Sequence, residues 1–120
     1  MNGLQMFVAV WGNGIWKIGG NDMKAVTAKE VQERLEKGEN LHLIDVREVD
    51  EVEAGHIPGI LHIPLGLLEF RMNELSKETP YIMVCRSGGR SGKATEFLQS
   101  QGFDVTNMSG GMLAWEGEVE

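Results

Sequence analysis

Residues Tyr81 to Lys93 read Y-I-M-V-C-R-S-G-G-R-S-G-K. The apolar run Tyr81–Val84 has the length and composition of a buried strand, and it delivers the chain's single cysteine, Cys85, to that strand's end. Arg86-Ser87-Gly88-Gly89-Arg90 follows as a tight loop, and Ser91 opens a helical pattern with Ala94, Phe97 and Leu98 on one face. Strand, glycine loop and helix N-terminus in that order form an anion cradle, because successive N–H groups turn inward and the helix dipole adds positive potential. A thiol held there ionises readily, and the thiolate is the reactive form. Moving a cysteine from about 8.5 to about 6.5 takes roughly 2.7 kcal/mol in favour of the anion. A helix terminus supplies about 0.3–1 kcal/mol, and about 2 at best. Loop N–H donors and the charges of Arg86 and Arg90 are expected to supply the rest.

Outward from this stretch the pattern alternates. Thr27-Ala28-Lys29-Glu30 is a capping box after the short strand candidate Ala25-Val26, and Ala28, Val31 and Leu35 mark one helical face that Gly38 ends. Leu41–Val46 reads as a buried strand. A short acidic helix around Asp50–Ala54 stops at Gly55, a turn follows at His56-Ile57-Pro58-Gly59, and Ile60–Ile63 is another strand. Leu65, Leu68, Met72 and Leu75 stand at helical spacing before Tyr81. Beyond the helix Ser91–Gln101, Val105 centres a last strand, and Gly110-Gly111 leads into a final helical piece ending at Trp115. Strands alternating with helices predict an α/β fold with a central, mostly parallel sheet and helices on both faces. In such sheets the binding crevice lies beyond the carboxyl ends of the strands, where Cys85 stands.

At 120 residues the chain supports one hydrophobic core and one domain. Residues 1–22 differ in texture, holding five of the 16 glycines and two of the three tryptophans, and Met23-Lys24 offers a second start. They are expected to be an N-terminal extension outside the main fold of residues 23–120, with Phe7–Trp11 as a candidate edge strand or partner surface. The net charge of −7 speaks against nucleic acid or an anionic membrane as partner. Residues 85–93 carry three positive charges and no acid, leaving −10 on the remainder. A basic spot on an acidic body suits a small anion. One cysteine excludes an internal disulfide and leaves no resolving thiol. No apolar stretch approaches the roughly 20 residues of a membrane span, and the run at Phe7 lacks the basic start of a signal peptide, so a cytoplasmic protein is the simplest reading.

The segments Leu43-Ile44-Asp45-Val46-Arg47-Glu48 and Glu53-Ala54-Gly55-His56-Ile57-Pro58-Gly59 resemble the N-terminal signature of rhodanese-like domains. Cys85-Arg86-Ser87-Gly88-Gly89-Arg90-Ser91 is similar to their active-site loop, and Gly110-Gly111 with Trp115 to their closing signature. The resemblance runs from about Met23 to Trp115. It implies a sulfurtransferase whose cysteine, here Cys85, accepts sulfane sulfur from a donor such as thiosulfate and passes it to cyanide or a thiol. It further implies that the N–H groups from Arg86 to Ser91 hold the anionic outer sulfur, that Arg86 and Arg90 orient the donor, and that Asp45 and Arg47 form a structural ion pair beneath the loop. It calls for neither metal nor organic cofactor. A persulfide-exchanging protein is a further candidate partner.

Three competing readings are weighed against it. Phosphatases and arsenate reductases of the same family place the arginine six positions after the cysteine, whereas Arg90 follows Cys85 by five, and no acid for a leaving group is evident near the loop. A non-catalytic partner-binding module does not need a reactive thiol, and a persulfide carrier lies between binder and enzyme. Residue by residue, Arg86 and Arg90 have a plainer reading as surface salt-bridge partners, His56 and His62 as turn and strand-end packing, and Trp115 as core. Glu48, Asp50, Glu51 and Glu53 read as a solvated helix face.

Overall fold

The computed structural model describes Ala9–Val10, Ile15–Ile18 and residues 21–120. In chain order the strands are β1 (Ala9–Val10), β2 (Ile15–Ile18), β3 (Asn21–Thr27), β4 (His42–Asp45), β5 (Leu61–His62), β6 (Tyr81–Val84) and β7 (Val105–Ser109). The helices are α1 (Ala28–Glu36), α2 (Val49–Ala54), α3 (Leu68–Arg71) and α4 (Gly89–Ser100), with 3-10 turns at Leu65–Leu67, Met72–Glu74 and Gly111–Ala114. Among the described residues these strands form one sheet in the order β1-β2-β3-β7-β6-β4-β5. The five strands from β3 to β5 are mutually parallel, while β1 and β2 join the β3 edge antiparallel. The described parts of the stretch 1–22 thus continue the sheet edge, and the rest of it lies outside the described residues.

β6 is central and buried on both faces, which is why Tyr81–Val84 is apolar throughout instead of alternating. Its side chains still alternate in direction. Tyr81, Met83 and Cys85 join the core formed with Ala94 and Leu98 of α4 and Leu68 of α3. Ile82 and Val84 join Ala28 and Val31 of α1 on the other face. Cys85 therefore inherits the α4 side of the sheet from the two-residue period of the strand before it. Full burial of Ile44, Ile63 and Leu98 contributes roughly 1.5–3 kcal/mol each to this layer.

The capping box at α1 forms as its sequence predicts: Thr27 Oγ1 accepts from the Glu30 N–H at 3.0 Å, and Glu30 Oε1 accepts from the Thr27 N–H at 3.0 Å. The segment from Leu65 to Leu75 departs from expectation. Its apolar spacing is met by a 3-10 turn, a single α turn and another 3-10 turn instead of one helix, with Pro64 and the weak helix former Gly66 at its start. α4 also starts earlier than Ser91. Gly88, at φ +105, takes the left-handed conformation at the cap, so Gly89 and Arg90 already belong to the first helical turn. That shift moves Arg90 from the loop to the helix.

Candidate active site

Cys85 follows β6 directly, beside the ends of β4 and β7, and is only 1% exposed. Two hydrogen bonds to its sulfur have good geometry. The Gly88 N–H donates to Sγ at 3.1 Å, and the Ser91 hydroxyl donates to it at 3.3 Å. Burial pushes the thiol up, but the Ser91 hydroxyl and the backbone N–H groups of Ser91, Gly88 and Ser87 outweigh it, and the Cys85 pKa stands below its ordinary value. The thiolate is thus favoured by hydrogen bonds from the loop and the helix start, and the arginine charges expected to contribute are not among its leading causes. Alkylation of Cys85 by iodoacetamide is accordingly expected to rise with pH about a midpoint below that of a free thiol. Ser91→Ala should move that midpoint upward, because it removes a donor that favours the anion; an unmoved midpoint would contradict this assignment.

The loop is held from three sides. Gly88 O accepts from the Gly92 N–H at 3.0 Å and from Asn107 Nδ2 on β7 at 3.2 Å. Ser91 is fully buried, and its carbonyl accepts from the Thr95 hydroxyl at 2.7 Å. Across the loop, the Met112 N–H donates to Cys85 O at 2.8 Å and the Leu113 N–H to Arg86 O at 2.9 Å. These two bonds explain the glycine pair before Met112. Gly111 sits at φ +56, and a Cβ there would lie 2.5 Å from the carbonyl oxygens of both Cys85 and Arg86. Gly111→Ala is expected to cost about 1–3 kcal/mol through backbone strain and to displace the loop. A fall in thermal midpoint together with altered Cys85 alkylation would report both effects.

Asp45 and Arg47 form a buried ion pair. Arg47 Nη2 donates to Asp45 Oδ2 at 2.8 Å, its Nε to both carboxylate oxygens at 3.0 and 3.1 Å, and its backbone N–H to Oδ1 at 3.0 Å. Arg47 then reaches the carbonyls of Gly55 (2.8 Å) and Glu51 (3.4 Å), tying α2 to the end of β4.

Arg90 is placed differently from expectation. Its two terminal nitrogens donate to the two carboxylate oxygens of Glu51 at 2.7 and 2.9 Å. The plainer salt-bridge reading of Arg90 therefore describes this structure, and Glu51 is not simply part of a solvated helix face. The Arg90 hydrogen bond, with one from the Glu48 N–H, holds the Glu51 carboxyl down at about 2, and Arg90 is raised above its ordinary value in turn. Arg86 and Ser87 are exposed, and Arg86 forms no ion pair among the described residues. Gly89 is exposed, with open space where a Cβ would stand.

His56 and His62 lie in packing roles: a ring nitrogen of each meets a backbone carbonyl, Val52 O at 2.9 Å and Arg47 O at 2.7 Å. Trp115 packs against the α1-side core and donates its indole N–H to Glu118 O at 3.0 Å. No cluster of three or more His, Cys, Asp or Glu side chains among the described residues could hold a metal ion, and no described helix is long and apolar enough to cross a membrane. Two site residues escaped the sequence reading. Glu51 was hidden within an acidic run, and Asn107 had one visible sign, an amide inside the strand pattern V-T-N-M-S.

The rhodanese-like domain model matches residues 27–118 of this chain. A Bacillus subtilis (strain 168) protein named "Putative sulfurtransferase YtwF" is 42% identical over 99 residues, covering 82% of this chain and 96% of the relative. A protein of Allochromatium vinosum named "Sulfurtransferase" is 36% identical, covering 75% of this chain and 85% of its own length. The crystal structure of a rhodanese-like domain protein from Staphylococcus aureus superimposes with a TM-score of 0.78 at 35% identity, covering 82% of this chain and 97% of that one. A cysteine-bearing loop at the carboxyl edge of a parallel sheet thus comes with matching sequence over most of the chain. The protein belongs to the rhodanese-like domain family.

Proposed function

We propose that this protein is a rhodanese-type sulfurtransferase that carries sulfane sulfur as a persulfide on Cys85. The observation that carries the reading is the convergence of the Gly88 N–H and the Ser91 hydroxyl on a buried Sγ at the start of α4. The Cys85 thiolate attacks the outer sulfur of a donor such as thiosulfate. A new S–S bond forms to Cys85 as the donor's S–S bond breaks, and sulfite leaves with the electron pair. The outer sulfur of the persulfide then carries the negative charge, and N–H groups of the segment Arg86 to Ser91, with Gly89 left open by its missing side chain, stabilise it. Cyanide or an acceptor thiolate attacks that sulfur, giving thiocyanate or a new persulfide and restoring the Cys85 thiolate. This is a two-step covalent cycle with one nucleophile, and its balance requires no organic cofactor or metal.

Exposed Arg86 is suited to drawing an anionic donor toward the loop, and a persulfide-bearing protein is a second class of partner. A reducing compartment such as the cytoplasm fits a lone thiol that must return to its reduced form. The chemistry belongs to residues 23–120, with 1–22 as an addition to that unit. Phosphate-ester hydrolysis is the weaker reading. The carboxylate paired with Arg90, Glu51, is held ionised down to about pH 2 and cannot donate a proton to a leaving group at neutral pH.

Intact mass spectrometry after exposure to thiosulfate or cysteine persulfide tests the proposal. A gain of one sulfur atom, removed by cyanide with release of thiocyanate, is expected. A thiol that stays titratable and unmodified with both donors would sink it.

A further inference from the structure

The two nitrogens that would clamp an anionic donor are already occupied. Arg90 spends both ends of its fork on the two oxygens of Glu51, at 2.7 and 2.9 Å, and a guanidinium presents that paired edge to one planar partner at a time. Glu51 is itself secured. Its Oε1 accepts the Glu48 N–H at 3.0 Å, and its backbone is tied through Arg47 to the buried Asp45. The carboxylate stays charged throughout the neutral range, so the pair is neutral as a unit. The positive potential left at Cys85 comes chiefly from N–H groups of the loop and helix start. Loop amides suit a single anionic sulfur. A sulfonate, with its charge spread over three oxygens, calls for a cationic fork; it can take the paired end of Arg90 only by displacing Glu51, and the N–H donors that remain belong to a pair with no net charge.

We propose that Glu51 is a positioning residue that sets the donor class: by neutralising Arg90 it turns the Cys85 site toward persulfides of thiols and away from sulfonate-bearing donors such as thiosulfate. This rests on the reading of Cys85 as a sulfur acceptor. With a persulfide donor, the Cys85 thiolate attacks the terminal sulfur, the donor's S–S bond breaks, and the donor thiolate leaves with the electron pair and takes up a proton. Oxidation state moves with the sulfur, and no further oxidant or reductant enters.

The test compares kcat/KM for thiosulfate and for cysteine persulfide, each with cyanide as acceptor. Glu51→Gln is expected to raise the ratio of kcat/KM for thiosulfate to kcat/KM for cysteine persulfide at least tenfold, mainly through a lower KM for thiosulfate. Adding Arg90→Gln to that variant should erase the gain with thiosulfate. Parallel changes with both donors, or a gain that survives the second substitution, would overturn the proposal and leave the pair as a structural brace. Should Glu51→Gln fail to fold, Glu51→Ala carries the same comparison, and a wild type that takes sulfur faster from thiosulfate than from cysteine persulfide overturns the idea. Sulfur uptake from neither donor in any variant would overturn the sulfur-transfer reading itself, and this inference with it.

Discussion

Cys85→Ser is expected to take up no sulfur from either thiosulfate or cysteine persulfide and to lose more than about a thousandfold in turnover, since it removes the nucleophile on which a covalent cycle depends. The fold should survive. Serine is close in size to cysteine, and its oxygen can accept the Gly88 N–H that now reaches Sγ at 3.1 Å. A thermal midpoint near that of the parent, together with absence of the one-sulfur mass gain, would separate lost chemistry from lost structure. Residual turnover within tenfold of the parent would show that sulfur passes directly from donor to acceptor without residing on the protein.

Asp45→Ala is expected to cost about 3–5 kcal/mol of stability, the range for stripping one partner from a buried ion pair. Asp45 is fully buried, and its loss strands Arg47, itself only 6% exposed, without the carboxylate that meets its guanidinium and its backbone N–H. The damage should reach the site. Arg47 ties α2 to the sheet through Gly55 O and Glu51 O, and α2 carries the carboxylate that pairs with Arg90. Urea unfolding would show a lower midpoint, and an unchanged slope would locate the effect in stability alone. A loss below about 1 kcal/mol would mean that water or a neighbouring carboxylate replaces Asp45 at little cost, contrary to the usual penalty for an orphaned buried charge.

The parts of the site legible in the sequence are those written in local pattern. Tyr81–Val84 declares a strand, its two-residue period sends Cys85 to the α4 side, and Thr27 with Glu30 declares the start of α1. The glycines around the cysteine were readable as a cradle, and Gly88 N–H does point at Sγ. Boundaries were less legible. The helix start at Gly89 depends on a left-handed Gly88, and apolar spacing alone does not distinguish one long helix from the broken turns between Leu65 and Glu74.

By itself, the sequence determined the α/β class, the strand that carries Cys85 and the loop that surrounds it, because strand period, capping and glycine conformation act over a few residues. Only the tertiary structure decided what Arg90 does. Its partner Glu51 lies 39 positions earlier in the chain, on a helix whose place is set by the buried pair of Asp45 and Arg47. The grip of Asn107 on Gly88 spans 19 positions and depends on β7 lying beside β6. Contacts of this kind arise from how packed elements are oriented, and a charge in the sequence does not declare which opposite charge the fold will bring to it.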